Sequence, residues 1–239
     1  MLLYRRFPLQ QPSSIYKQFN RFKSLPSIKI VQSDKNSGLV ALHILDYHHM
    51  VMSHLSNCDI YSHIGSNQCQ RWFDILSRIR LEHTVLLKAI AHHVRDLPKN
   101  TIKFLRDSKT VLPIFHCLPK LHKPNRPGRP IIGSPAWITT RWSILLDCLL
   151  EKAAVPFALK NSSALITSLE GYHLSSSYIL CSADVASLYT NMTLSKLYDI
   201  IERCSDRPYL VTILKFICNN NYFMYGNNVF QQLDGIAMG

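Results

Sequence analysis

No two of the seven cysteines, at positions 58, 69, 117, 148, 181, 204 and 218, lie two to four residues apart, which excludes a zinc knuckle built on close pairs. An odd number of scattered thiols suits a reducing compartment, so an intracellular location, nuclear or cytoplasmic, is the expectation. Long apolar runs are missing too. The longest, 144–159, is broken by Asp147, Glu151 and Lys152, so no bilayer span and no membrane partner are expected. No secretory leader is expected either, because Arg5, Arg6 and Pro8 interrupt the opening apolar residues. The Asn-x-Ser/Thr matches at Asn161 and Asn191 are then not expected to carry glycans. There is no internal repeat and no low-complexity tract.

Acidic residues are scarce: 15 Asp and Glu stand against 27 Lys and Arg, for a formal net charge of +12. The imbalance is local. Residues 1–33 carry net +6, 34–94 balance, 95–141 carry +8 and 142–239 carry −2. Two basic patches of this kind suit a polyanion such as nucleic acid, held by phosphate contacts that release counterions. A basic protein without such a partner has the same composition. Apolar residues make up 47% of the chain, enough for a sizeable core and too many for bulk disorder.

Residues 1–27 show no clear periodicity and read as a basic N-terminal arm. Ile28–Val31 and Leu39–Leu42 flank the turn Asp34-Lys35-Asn36-Ser37-Gly38, which predicts a hairpin. Helices are predicted over 46–55 and 68–97, the second from Trp72, Ile75, Leu76, Ile79, Leu86, Leu87 and Ile90 at spacings of three and four. A short helix opened by Pro98 follows, then strand character over 111–118. Six prolines between 113 and 135 make the basic block a loop between two strands, with 129–133 as the returning strand. Helices are predicted over 142–159, bent or ended at Pro156, and over 163–169. Tyr178–Val185 reads as a buried strand carrying Asp184 at its tip. A helix capped by Thr193 or Ser195 follows, then one capped by Asp206, then a hairpin of 222–225 and 229–232.

Three blocks stand out as chemistry. The first is Leu118-Pro119-Lys120-Leu121-His122-Lys123 with Arg129-Pro130-Ile131. Two cations on adjacent strands can grip a triphosphate, lysine as a point charge and arginine as a bidentate fork, although a charge run in a loop is more often merely solvated. His116, Cys117 and His122 lie in the same segment and read as incidental neighbours rather than a metal site. The second block is Asp184-Val185-Ala186-Ser187-Leu188-Tyr189-Thr190-Asn191. An aspartate at a strand end is usually a turn or cap residue, and a tyrosine five residues later is usually core. The third is Gln232-x-x-Gly235-x-Ala237-Met238-Gly239, which by itself reads as the start of a helix.

In this order the blocks resemble a reverse transcriptase of the Penelope-like retroelement type, a class similar to telomerase reverse transcriptase. The second block is similar to that family's motif A and the third to its motif B, whose Ala-Met-Gly form is the Penelope-like one. Asp34-Lys35 before Gly38 and Val40, followed by Asp46-Tyr47, resembles an upstream fingers element of the same family. The resemblance covers about residues 28–239. It implies an α+β fold: right-hand polymerase fingers over 28–141 and an incomplete palm over 142–239, with antiparallel strands packed against helices. It implies RNA-directed DNA polymerase chemistry on an RNA template and a DNA primer, with deoxynucleoside triphosphates as substrates. Asp184 is the implied catalytic residue, and with the Val185 carbonyl it is the implied ligand of magnesium in the complete enzyme. Lys120, Arg129, Val185 and Tyr189 are the implied nucleotide contacts, the Tyr189 ring excluding a 2′-hydroxyl. Lys123, Arg126, Gln232, Gly235, Met238 and Gly239 are the implied contacts to nucleic acid. Ala186, the short Gly133-Ser134 loop and Asp234 depart from the family pattern. So does the lack of an Asp-Asp motif C, a thumb and a GIY-YIG endonuclease, and these 239 residues are therefore not expected to polymerise alone. Two other readings stand beside this one: a non-catalytic nucleic-acid-binding remnant, and an unrelated helical interaction protein.

Overall fold

A computed structural model describes residues 12–36, 38–93, 97, 100–107, 110–150, 159–173, 175–179, 181–186 and 188–238. The chain is a mixed α+β protein. Strands β1 (Ile28–Gln32) and β2 (Leu39–His43) form an antiparallel hairpin, closed by a 3-10 turn at Asp34–Asn36. The second sheet has five strands, β3 (Tyr61–Ser66), β4 (Ile114–Pro119), β5 (Gly128–Gly133), β6 (Tyr222–Tyr225) and β7 (Asn228–Gln232), in the order β3-β7-β6-β4-β5. Every pairing in it is antiparallel except β4 with β6. This sheet takes three strands from the segment expected as fingers and two from the segment expected as palm. Residue 141 therefore does not separate two independently hydrogen-bonded halves.

Both faces of the five-stranded sheet are covered, as adjacent residues show. Tyr222 and Phe223 are both buried, as are Val229 and Phe230, and successive strand residues point to opposite faces. Phe223 and Phe230 join Phe115, Cys117, Ile132 and Tyr61 under helix α2 (Ile44–Leu55), which presents Tyr47, Val51 and Leu55 at a spacing of four. Tyr222 and Val229 pack on the other side with Ile64, Trp72, Ile79, Trp137 and Ile138. A third core is wholly helical. It joins the end of α3 (Gln70–His93), α4 (Thr101–Arg106), α5 (Thr140–Leu150) and α9 (Pro208–Asn219) around the fully buried Trp142.

The remaining described helices are α1 (Pro12–Lys23), α6 (Ser162–Leu169), the single turn α7 (Leu188–Asn191) and α8 (Leu194–Cys204). Helix α1 lies within the segment read as a basic arm, where no periodicity predicted a helix. Its last turn carries Arg21 and Lys23, where positive charge opposes the helix dipole. Strand β3 has no alternating apolar pattern and was not expected. It forms because Tyr61 and Ile64 bury against β7, with a register shift between His63 and Gly65. Asp206 does not cap α9. Arg207 holds that position and Pro208 opens the helix with its φ already set. The predicted ends of helices at 94–96, Pro98 and Pro156 lie outside the described residues. No helix among the described residues is long and apolar enough to cross a membrane.

Two histidines make the fold sensitive to pH. Burial holds the imidazoles of His54 and His83 below their ordinary range of about 6.5. The folded state therefore keeps them neutral while the unfolded chain takes up protons first. Their contribution to stability is complete above about pH 6.5 and is lost as pH falls toward the folded values. The urea midpoint is expected to drop between pH 7.5 and 5.5, and His83→Leu is expected to flatten that dependence.

Candidate functional site

The basic block forms the β4–β5 hairpin. Its register pairs Cys117 with Pro130, Leu118 with Arg129 and Pro119 with Gly128. Phe115, Cys117 and Ile132 turn inward, so Leu118, Lys120 and Arg129 share the face away from that core. The two cations expected to grip a triphosphate are thus diagonal neighbours on one face. The Lys120 amide donates to the Pro127 carbonyl at 2.9 Å and closes the loop. At the loop's far end Asn125 (φ 57°) and Arg126 (φ 44°) adopt the left-handed conformation, uncommon for residues other than glycine. Residues Leu121 to Arg126 curl around an open cavity of about 590 Å³, and Lys123 and Arg126 are exposed.

The hairpin is held from behind. Gly128 permits a close approach: a Cβ there would lie 2.7 Å from Met50 Cγ and 2.9 Å from Cys117 Cβ. The Gly128 carbonyl faces His54 Nε2 at 3.0 Å, and the Cys117 amide donates to the Tyr47 hydroxyl at 3.0 Å. Burial pushes both the Tyr47 hydroxyl and the Cys117 thiol up to about 12. Cys117 is therefore a buried core residue whose thiol stays protonated near neutral pH.

Arg129 has a partner that sequence reasoning did not supply. Its Nε lies 3.0 Å from Asp34 Oδ1, an ion pair with the turn of the β1–β2 hairpin. Asp34 is buried, and nothing in the spacing of 34 and 129 signals the pairing.

The third block runs back over the same hairpin. Its Met238 carbonyl accepts from the Ile132 amide of β5 at 2.7 Å. Two residues earlier, the Ile236 amide donates to the Tyr189 carbonyl, also at 2.7 Å. Gly235 makes this contact possible. Its φ is +76°, and a Cβ would stand 2.7 Å from the Tyr189 carbonyl oxygen and 3.1 Å from Thr190 Cα. Asp234, a departure from the family pattern, has a structural use: its Oδ1 accepts from the Leu194 amide at 2.9 Å and so caps α8. Thr193 sits at the N-cap as predicted, but its side chain makes no capping bond.

Gln232, an implied contact to nucleic acid, turns inward. It is buried, with Nε2 donating to the Asp234 carbonyl at 3.0 Å and Oε1 accepting from Asn221 Nδ2 at 3.1 Å, so its amide shapes the third block rather than facing nucleic acid. Gly239 lies outside the described residues.

The expected strand at 178–185 is also corrected. Its described residues are non-strand and exposed, with Ile179 at 86% and Tyr178 at 69%. An apolar run becomes a strand only beside a neighbour that takes its N–H and C=O groups, and no described strand lies there. Asp184 and Val185 are exposed in this segment, while Tyr189 is 42% exposed on α7. Two magnesium ions need several bridging carboxylates, and the described residues contain no group of three or more His, Cys, Asp or Glu able to hold a metal. Asp184 and the Val185 carbonyl do not fit that metal pair by themselves. Comparison with family models, with curated proteins and with solved structures gave no match.

Proposed function

We propose that this chain is the fingers and part of the palm of a reverse transcriptase similar to those of Penelope-like retroelements. On this reading it contacts an RNA template, a DNA primer and a deoxynucleoside triphosphate. The observation that carries the reading is the convergence of the third block on the first, 106 positions from Ile132 to Met238, and on the second, 47 positions from Tyr189 to Ile236. Met238 bonds to the strand bearing Arg129, and two residues before it Ile236 bonds to the backbone of Tyr189. Unrelated matches have no reason to meet in one network of backbone hydrogen bonds. The shared face of Lys120 and Arg129 adds a phosphate-binding geometry, and the surplus of 27 basic over 15 acidic residues adds the field to attract a polyanion.

The runner-up, a nucleic-acid-binding protein without catalysis, is favoured by one feature. Asp184 is an exposed carboxylate in a segment that pairs with no strand among the described residues. Both readings expect no primer extension by these 239 residues; extension would overturn that expectation. Titration with a deoxynucleoside triphosphate separates them. The proposed function expects binding that Lys120→Ala/Arg129→Ala weakens by about tenfold or more, two charge-assisted contacts being lost. Equal affinity in the double variant, with nucleic-acid binding intact, leaves the runner-up.

A further inference from the structure

The β1–β2 turn is built as a bracket, and its one buried charge is aimed at Arg129. The Ser33 amide and hydroxyl both donate to the Gly38 carbonyl, at 2.9 and 2.8 Å, and pin the two ends of the turn together. Ser33 is 1% and Asp34 4% exposed, while the next residue, Lys35, takes the left-handed conformation (φ 60°, ψ 28°) and turns the chain outward. From this frame Asp34 Oδ1 forms an ion pair with Arg129, 3.0 Å from its Nε. The contact crosses between the two sheets. It uses the inner nitrogen of the guanidinium, which is buried, whereas the arginine side chain as a whole remains 36% exposed. A guanidinium held at Nε still has Nη1 and Nη2, the fork that meets two phosphate oxygens together.

We propose that Asp34 is a positioning residue for the triphosphate site. It anchors the Arg129 guanidinium by an ion pair, so that the β1–β2 hairpin forms a third wall beside the hairpin carrying Lys120 and Arg129. The inference rests on the proposed function and deepens it. A carboxylate locked in a rigid turn removes the rotamer freedom that arginine otherwise loses when phosphate arrives, so affinity is gained before the ligand binds. A carboxylate that simply competed for Arg129 would have the opposite effect on affinity, which makes the sign decisive.

The experiment compares the whole chain with Asp34→Asn, Asp34→Glu and Arg129→Ala, each titrated with a deoxynucleoside triphosphate by calorimetry. Asp34→Asn is expected to bind about tenfold more weakly, the usual scale for losing a group that orients a ligand-binding side chain. Asp34→Glu, which keeps the charge, is expected to recover part of that loss. The Arg129 Nε–H resonance of the unaltered chain gives a second reading that needs no variant to fold. Buried in the ion pair, it is expected to stay protected from exchange when the triphosphate saturates the site. Asp34→Asn affinity equal to or above that of the unaltered chain, or loss of Nε–H protection on binding, overturns the positioning role while Arg129→Ala still reports the triphosphate site. Arg129→Ala without effect, or no binding by the unaltered chain, overturns the proposed function and this inference with it.

Discussion

Gly235→Ala is expected to lower the unfolding free energy by about 2–4 kcal/mol, the sum of placing a Cβ at a left-handed position and forcing it into a packed backbone. The clash is with main chain: the added carbon would meet the Tyr189 carbonyl oxygen at 2.7 Å and Thr190 Cα at 3.1 Å, and neither can rotate away as a side chain would. Relief requires the loop at 233–238 to leave α7, which breaks the Ile236–Tyr189 hydrogen bond and pulls on the Asp234 cap of α8. For a chain of this length the loss corresponds to a fall in melting temperature of about 5–15 °C. Hydrogen exchange gives the local reading. Amide protection at Ile236 and Leu194 is expected to collapse, while Phe223, in the sheet core, keeps its own. Unchanged protection at Ile236 in Gly235→Ala would show that the loop does not depend on the missing side chain. Gly128→Ala is the matched comparison, since its intruding carbon meets the flexible Met50 side chain as well as Cys117 Cβ.

Binding of single-stranded nucleic acid is expected to weaken about 20-fold as monovalent salt rises from 50 to 200 mM, if three phosphates are neutralised by Lys120, Lys123 and Arg126. The arithmetic is that of counterion release, about 0.7 of an ion per phosphate on a single strand. Lys123 and Arg126 are exposed, and Lys120 is half-buried at the end of β4. The left-handed conformations at Asn125 and Arg126 hold the loop in one shape, so ordering it on binding costs little. Lys120→Ala/Lys123→Ala/Arg126→Ala is therefore expected to make the slope of log affinity against log salt shallower by about 2. A slope identical to that of the unaltered chain would place the contact on the other basic region, 1–33, which has net charge +6.

Much of the fold was legible where the chain's local signals agreed. The β1–β2 hairpin followed from two β-prone runs around a Gly-containing turn, and α3 from apolar residues at spacings of three and four. The β4–β5 hairpin followed from prolines that forbid helix, and β6–β7 from a Gly-Asn-Asn turn. What failed did so for one physical reason. A strand is completed by hydrogen bonds to another segment, and sequence reports only one side of that bargain. Tyr178–Val185 had the apolar content of a strand, yet its described residues pair with no described strand, whereas β3 lacked the pattern and formed because β7 lay beside it.

The candidate site divides along the same line. The chain by itself determined which cations stand in the Pro-rich block, Lys120 and Arg129, and that prolines would set them on a hairpin, because rigid rings and fixed charges act locally. Only the tertiary structure decided what those groups face. It buried Gln232 and bonded both ends of its amide, put Asp234 at the start of α8, and brought Asp34 to 3.0 Å from Arg129 across 95 positions. Each of these depends on desolvation and hydrogen-bond partners contributed by distant segments, so none is encoded in the spacing of the residues concerned.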